Sequence, residues 1–118
     1  MLSITSDIDW APDYIIENFY NILEEYNCKC TLFVTHESKF LKNLRNKKIE
    51  LAIHPNFNDL LFENSKKESP KKIIENLLNI YPDSIGVRSH SITQSSKLQQ
   101  LFSEYGLKYD SNQFFPYE

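Results

Sequence analysis

The sequence predicts an α/β fold built on one parallel sheet. Three observations lead there. Short apolar runs rich in β-branched and aromatic residues alternate with longer segments of helical period. The alternation is strict, as in a chain of βαβ units. Chemically active residues stand where the strand-like runs end: Ser6-Asp7-Ile8-Asp9-Trp10, Ala52-Ile53-His54-Pro55-Asn56 and Val87-Arg88-Ser89-His90. In an all-parallel layout those exits share one face, where ligands bind. Acid, imidazole and guanidinium groups distant in sequence can therefore converge on one metal-binding, hydrolytic site.

Leu2 to Ser6 reads as the first strand. Pro12 and Asp13 open a helix, since proline is favoured in a first turn. Ile15, Ile16, Phe19, Ile22, Leu23 and Tyr26 then recur at helical spacing. Thr31-Leu32-Phe33-Val34-Thr35 is a buried-type strand. Ser38 can cap a short helix through Leu41 and Leu44. Ile49 to Ile53 forms the third strand. Ser69-Pro70 repeats the cap-then-proline signal and starts a helix bearing Ile73, Ile74, Leu77 and Leu78, extending toward Tyr81. Ile85 to Arg88 is a brief fourth strand. Ser95 or Ser96 starts a helix with Leu98, Leu101, Phe102 and Tyr105, stopped by Gly106. Leu107 to Asp110 completes the series as a fifth strand.

With 118 residues, 41% of them hydrophobic, the chain suits a single domain with its own core. A net charge of −3 with interspersed signs gives no nucleic-acid or anionic-membrane signature. No apolar run approaches a membrane span. The start lacks a charged leader, so the expected compartment is the cytoplasm. Cys28 and Cys30 are too close for an easy disulfide and read as reduced structural thiols. The Lys66-Lys67 and Lys71-Lys72 doublets read as a solvated loop and helix face. No internal boundary divides residues 1–118.

Asp7-Ile8-Asp9-Trp10, the strand Thr31 to Thr35, His54, Arg88 and Tyr109-Asp110 fall in the order of the polysaccharide deacetylases. The chain resembles that family, the NodB-homology group or carbohydrate esterase family 4. The resemblance implies a distorted (β/α) barrel that removes N- or O-acetyl groups from sugars with a divalent metal. It covers nearly the whole chain but only the N-terminal part of a family domain. Residues 1–118 are thus expected to form a single, incomplete domain: a partial barrel of about five strands, where barrels of this kind run to well over ~200 residues.

Carried over residue by residue, the resemblance makes Asp7 the catalytic base, Asp9 a metal ligand and His54 the first histidine ligand. Arg88 becomes the arginine that orients the base. Many relatives have adjacent aspartates, whereas this chain has Asp-x-Asp; side chains two apart in extended backbone point the same way. Both acids would also suit a turn ahead of Pro12. Asn58 stands where the family has its second histidine. An amide oxygen is a poorer zinc ligand than imidazole, so Asn58, His90 or His36 are open alternatives, as is a degraded site. Trp10 and Asp110 are candidate substrate contacts, with buried packing the alternative for Trp10. His36 suits the next helix start.

The implied mechanism is hydrolysis by metal-activated water, with Asp7 taking the proton and Arg88 holding Asp7. The metal is expected to be zinc, with cobalt, nickel or manganese as alternatives. The activity implied is that of a carbohydrate deacetylase, a hydrolase acting on C–N bonds other than peptide bonds. The substrate would be a surface or capsular polysaccharide or its precursor. The family's general acid is a histidine from a late motif beyond Glu118. A truncated, non-catalytic homologue that binds carbohydrate, or self-associates or pairs with a complementary chain through an open sheet edge, is therefore the alternative. A metal-dependent (β/α) hydrolase of the amidohydrolase kind is a third.

Overall fold

In the computed structural model, which describes residues 4–61 and 68–113, each strand lies beside the strand before it in sequence. The elements are β1 (Ile4–Asp7), α1 (Asp13–Glu25), β2 (Cys30–Val34), α2 (Lys39–Asn43), β3 (Ile49–Ile53), α3 (Pro70–Ile80), β4 (Gly86–Val87), α4 (Ser96–Glu104) and β5 (Tyr109–Asp110). Short 3-10 turns follow β3 and β4, at Asn58–Leu61 and His90–Ile92. All pairings are parallel and the sheet order is β1-β2-β3-β4-β5. The expected residues Leu2 and Ser3 of the first strand, the Lys66-Lys67 doublet and Glu118 lie outside the described residues.

Caps and breakers act where the sequence places them. The hydroxyls of Ser38, Ser69 and Ser95 accept from the backbone N–H of Leu41, Lys72 and Leu98, three residues on. Pro12 precedes α1 as its cap residue without a side-chain bond. Gly106, at φ 76°, takes the left-handed turn that closes α4.

Period-two alternation divides each strand between two faces. Leu32, Val34, Ile53 and Val87 are fully buried against the helices. They join Ile16, Leu23 and Leu41 under α1 and α2, and Ile74, Leu77, Leu98 and Phe102 under α3 and α4. Each such side chain contributes about 1.5–3 kcal/mol on burial. Because successive strands pair in order and the helices share one face, the sheet winds as part of a barrel. A doubly wound fold would instead place helices on both faces.

The opposite face carries the intervening residues. Thr31 donates to Glu50 at 2.9 Å, as does the Tyr109 hydroxyl from β5. Burial, with help from Glu50, raises the Tyr109 phenol above its ordinary value. Tyr109 lies over Gly86, where a Cβ would meet its ring at 2.0 Å. Here glycine is needed for space.

β4 and β5 are shorter than expected. Leu107 is drawn into the core under α4 instead of pairing as strand, although Lys108 N still donates to Ile85 O at 2.7 Å. Cys28 and Cys30 are free thiols. No helix among the described residues is long and apolar enough to cross a membrane.

Candidate metal centre

The ladder of hydrogen bonds runs on past the strand ends and fixes the residues of the site. Ile8 N donates to Phe33 O, His54 N to Val34 O, Arg88 N to Ile53 O, and His90 N to Pro55 O, at 2.8–3.1 Å. The exits of β1 to β4 therefore follow one another along one end of the sheet, with β2 between β1 and β3.

Asp9 and Trp10 both adopt left-handed backbone, with φ 33° and 58°. This is uncommon outside glycine and is seen where surrounding structure imposes it. Trp10 N donates to Thr35 Oγ1 at 2.9 Å and Ala11 N to Ile8 O at 2.7 Å, which holds the turn. The turn brings Asp9 Oδ1 to 3.5 Å from His54 Nε2 and 3.3 Å from His90 Nδ1. Extended-strand parity is thus not what joins Asp7 and Asp9, because the strand ends at Asp7. His90 also sits at a turn: Ser91 and Ile92 are left-handed, at φ 57° and 53°.

His54 is the buried member of the group, 3% exposed. Burial pushes its imidazole below the ordinary value, against the pull of Asp7 and of a 2.6 Å bond between Nδ1 and Arg88 O. A carbonyl only accepts, so Nδ1 carries the proton and Nε2 presents a lone pair. That lone pair faces two carboxylates, Asp9 Oδ1 at 3.5 Å and Asp7 Oδ2 at 3.9 Å.

Arg88 completes the geometry. Its Nη1 donates to Asp7 Oδ1 at 2.9 Å and its Nη2 to Thr5 Oγ1 and Ser111 Oγ. Its Nε donates to Ser111 O, and the guanidinium lies 4.1 Å from the Phe33 ring centre. One oxygen of Asp7 is thereby occupied and the other faces His54.

A family model described as WbmS-like polysaccharide deacetylase matches residues 4–118. The chain belongs to that family.

A solved relative agrees in fold: a crystal structure from Bordetella bronchiseptica described as a candidate polysaccharide deacetylase involved in O-antigen biosynthesis. It is 37% identical, with a TM-score of 0.84, over 91% of this chain. The chain spans 44% of that protein's length. No curated protein matches the chain. The five parallel strands are thus a curled half-barrel of the deacetylase, NodB-like type.

Within this deacetylase half-barrel, Asp9, His54 and His90 are the metal-ligating types that gather, their donor atoms all within 4.8 Å. Ligands about 2.0–2.1 Å from a tetrahedral zinc stand roughly 3.3 Å apart, which the Asp9–His90 and Asp9–His54 separations approach. A lone pair aimed at carboxylates is also what a cation between them would relieve. The donor set fits a divalent metal.

The remaining expected residues make other contacts. Asn58 Nδ2 donates to Ser91 Oγ at 3.2 Å. The His36 ring bonds Thr35 Oγ1 at 3.0 Å. Asp110 Oδ1 accepts the backbone N–H of Asn112 at 2.8 Å and also the Asn112 amide. Trp10 is 48% exposed and meets the His90 ring edge-on at 5.1 Å, so the buried alternative is not realised. Three supporting residues escaped sequence reading. Thr35 anchors the Trp10 turn, Ser111 grips Arg88, and buried Asn112 accepts from Ser89 N at 2.8 Å. Their one signal was position: Thr35 closes a strand-like run, and Ser111 and Asn112 stand just past another.

Proposed function

We propose that this chain is the metal- and base-bearing part of a carbohydrate deacetylase, removing an acetyl group from a sugar or polysaccharide. The observation that carries the reading is the Nδ1–Arg88 O bond, which aims the His54 Nε2 lone pair at Asp9. Histidine ligands are oriented in this way by a carbonyl or carboxylate behind the ring.

Asp9, His54 and His90 would hold the metal, zinc being favoured by two imidazoles and one carboxylate. Asn58 is the alternative to His90. When bound, such a cation acidifies water and polarises an acyl carbonyl. Asp7 takes the water's proton on Oδ2, the oxygen that Arg88 does not occupy. Arg88 holds Asp7 in one pose through the bond from Nη1 to Oδ1. Trp10, and more remotely Asp110, contribute to the sugar-binding surface.

Among the described residues, β1 and β5 are the outer strands of the sheet. Parallel edges favour pairing with a complementary (β/α) segment or a second copy.

The test is zinc titration followed by acetate release from an acetylated amino sugar oligomer. Zinc binding with turnover, lost in Asp7→Asn, supports the reading. Absence of zinc binding overturns it. Zinc binding with no turnover favours a homologue that binds carbohydrate or a partner without catalysis.

A further inference from the structure

Beside the metal centre lies a groove of about 400 Å³, running from Trp10 to the flank of α3. Trp10, Thr35 and Asn56 line one end, and Ile73, Asn76 and Ile80 the other. Trp10 belongs to both places, because its ring also touches His90.

Trp10 is a large side chain left half exposed on a left-handed backbone. Bulky residues rarely adopt that conformation, and exposure gains them nothing from the hydrophobic effect. A platform for a ligand accounts for both. Around it stand neutral hydrogen-bonding side chains. Asn56 is held by accepting Asn58 N at 2.9 Å, and Asn76 is exposed on α3. The charged side chains lining the groove are both carboxylates, Asp59 and Glu68, the latter paired with Lys72 at 3.3 Å. An aromatic face and neutral amides suit a ring with an apolar C–H face and polar edges. No lysine or arginine among the described residues lines the groove, which disfavours a phosphate or uronate.

We propose that this groove is a subsite for a neutral sugar ring, adjoining the ring whose acetyl group would lie at the metal centre. Trp10 is its stacking platform, and Asn56 and Asn76 read its hydroxyl groups. The choice of ligand rests on the deacetylase reading; the groove's geometry does not.

Trp10 is the chain's single tryptophan, so intrinsic emission reports on the groove directly. The experiment titrates di-N-acetylchitobiose into the full chain, with and without zinc, following tryptophan emission and heat. A saturable emission change is expected. Trp10→Ala should weaken binding at least tenfold and Trp10→Phe should recover most of it. Asn76→Ala, on α3 and outside the metal-ligand set, should weaken it several-fold with an unchanged circular dichroism spectrum. Unchanged emission from a zinc-loaded protein overturns the subsite, as does equal affinity in Trp10→Ala and Asn76→Ala. An emission response without zinc binding supports the subsite while removing the deacetylase reading. Zinc binding and turnover with a silent Trp10 does the reverse.

Discussion

Arg88 Nη1 donates to Asp7 Oδ1 at 2.9 Å, joining the exits of β4 and β1 across 81 positions of sequence. The same guanidinium is fixed by Thr5, Ser111 and the Phe33 ring, so it arrives pre-oriented. Lysine would keep the charge but lose the fork. Asp7→Asn is expected to lower kcat for acetate release by about 10²–10⁴-fold, the contribution typical of a positioned base. Arg88→Lys should lower kcat by a smaller factor. Both should leave zinc affinity within a few-fold of the parent. Steady-state kinetics beside calorimetric zinc titration checks this, and a loss confined to zinc affinity would sink the role given to Asp7.

Zinc should stabilise the chain. At a hundredfold excess over Kd the gain is about 2.7 kcal/mol, on the order of 10 °C in Tm for a domain of this size. Asp9→Ala, His54→Ala and His90→Ala should each abolish the shift, while Asn58→Ala should retain it. Differential scanning fluorimetry with zinc and with a chelator decides between His90 and Asn58.

Tyr81 ties the C-terminal end of α3 to the loop before α2. Its hydroxyl accepts Ser38 N and donates to His36 O, each at 3.0 Å. Tyr81→Phe leaves both backbone groups without that partner, and Ser38 is buried. The expected loss is about 1–3 kcal/mol, read from urea unfolding midpoints at unchanged m-value. A change under about 0.5 kcal/mol would mean that water replaces the hydroxyl.

Asp13 supplies a pH signature. The Ser38 hydroxyl donates to Oδ1 at 2.6 Å and Phe40 N to Oδ2 at 3.2 Å. The Ser38 bond is the main cause holding the carboxyl below its ordinary value of 3.8. A lowered folded value means the contribution is fully present above pH 3.8 and fades as pH falls through the folded value. The Tm gap between the parent and Asp13→Asn should therefore be constant near neutrality and close below that pH. A gap that persists at pH 2 would assign the effect to shape instead of charge.

Much of the molecule was legible because local rules and tertiary demands agree. The span Ile49–Ile53 was found as read, since an apolar run bounded by polar residues has few other uses. Ser38, Ser69 and Ser95 cap where a hydroxyl precedes a helical pattern. β4 and β5 were overestimated because two-residue strands carry too little periodicity to bound.

By itself, the sequence determined the alternation of strand and helix, hence a parallel sheet, and the order of Asp7, Asp9, His54 and Arg88 along it. Those follow from side-chain period, turn chemistry and residue type, which are local. Tertiary structure alone decided that Asp9 and His90 meet over His54. It did so through left-handed turns at Asp9-Trp10 and Ser91-Ile92, held by contacts from other elements or adjoining the 3-10 turn. No periodicity announces such a turn at a non-glycine residue, because its energy comes from distant partners. Asn58 turns to Ser91 and Trp10 stays exposed for the same reason: each outcome depends on what another strand exit places beside it.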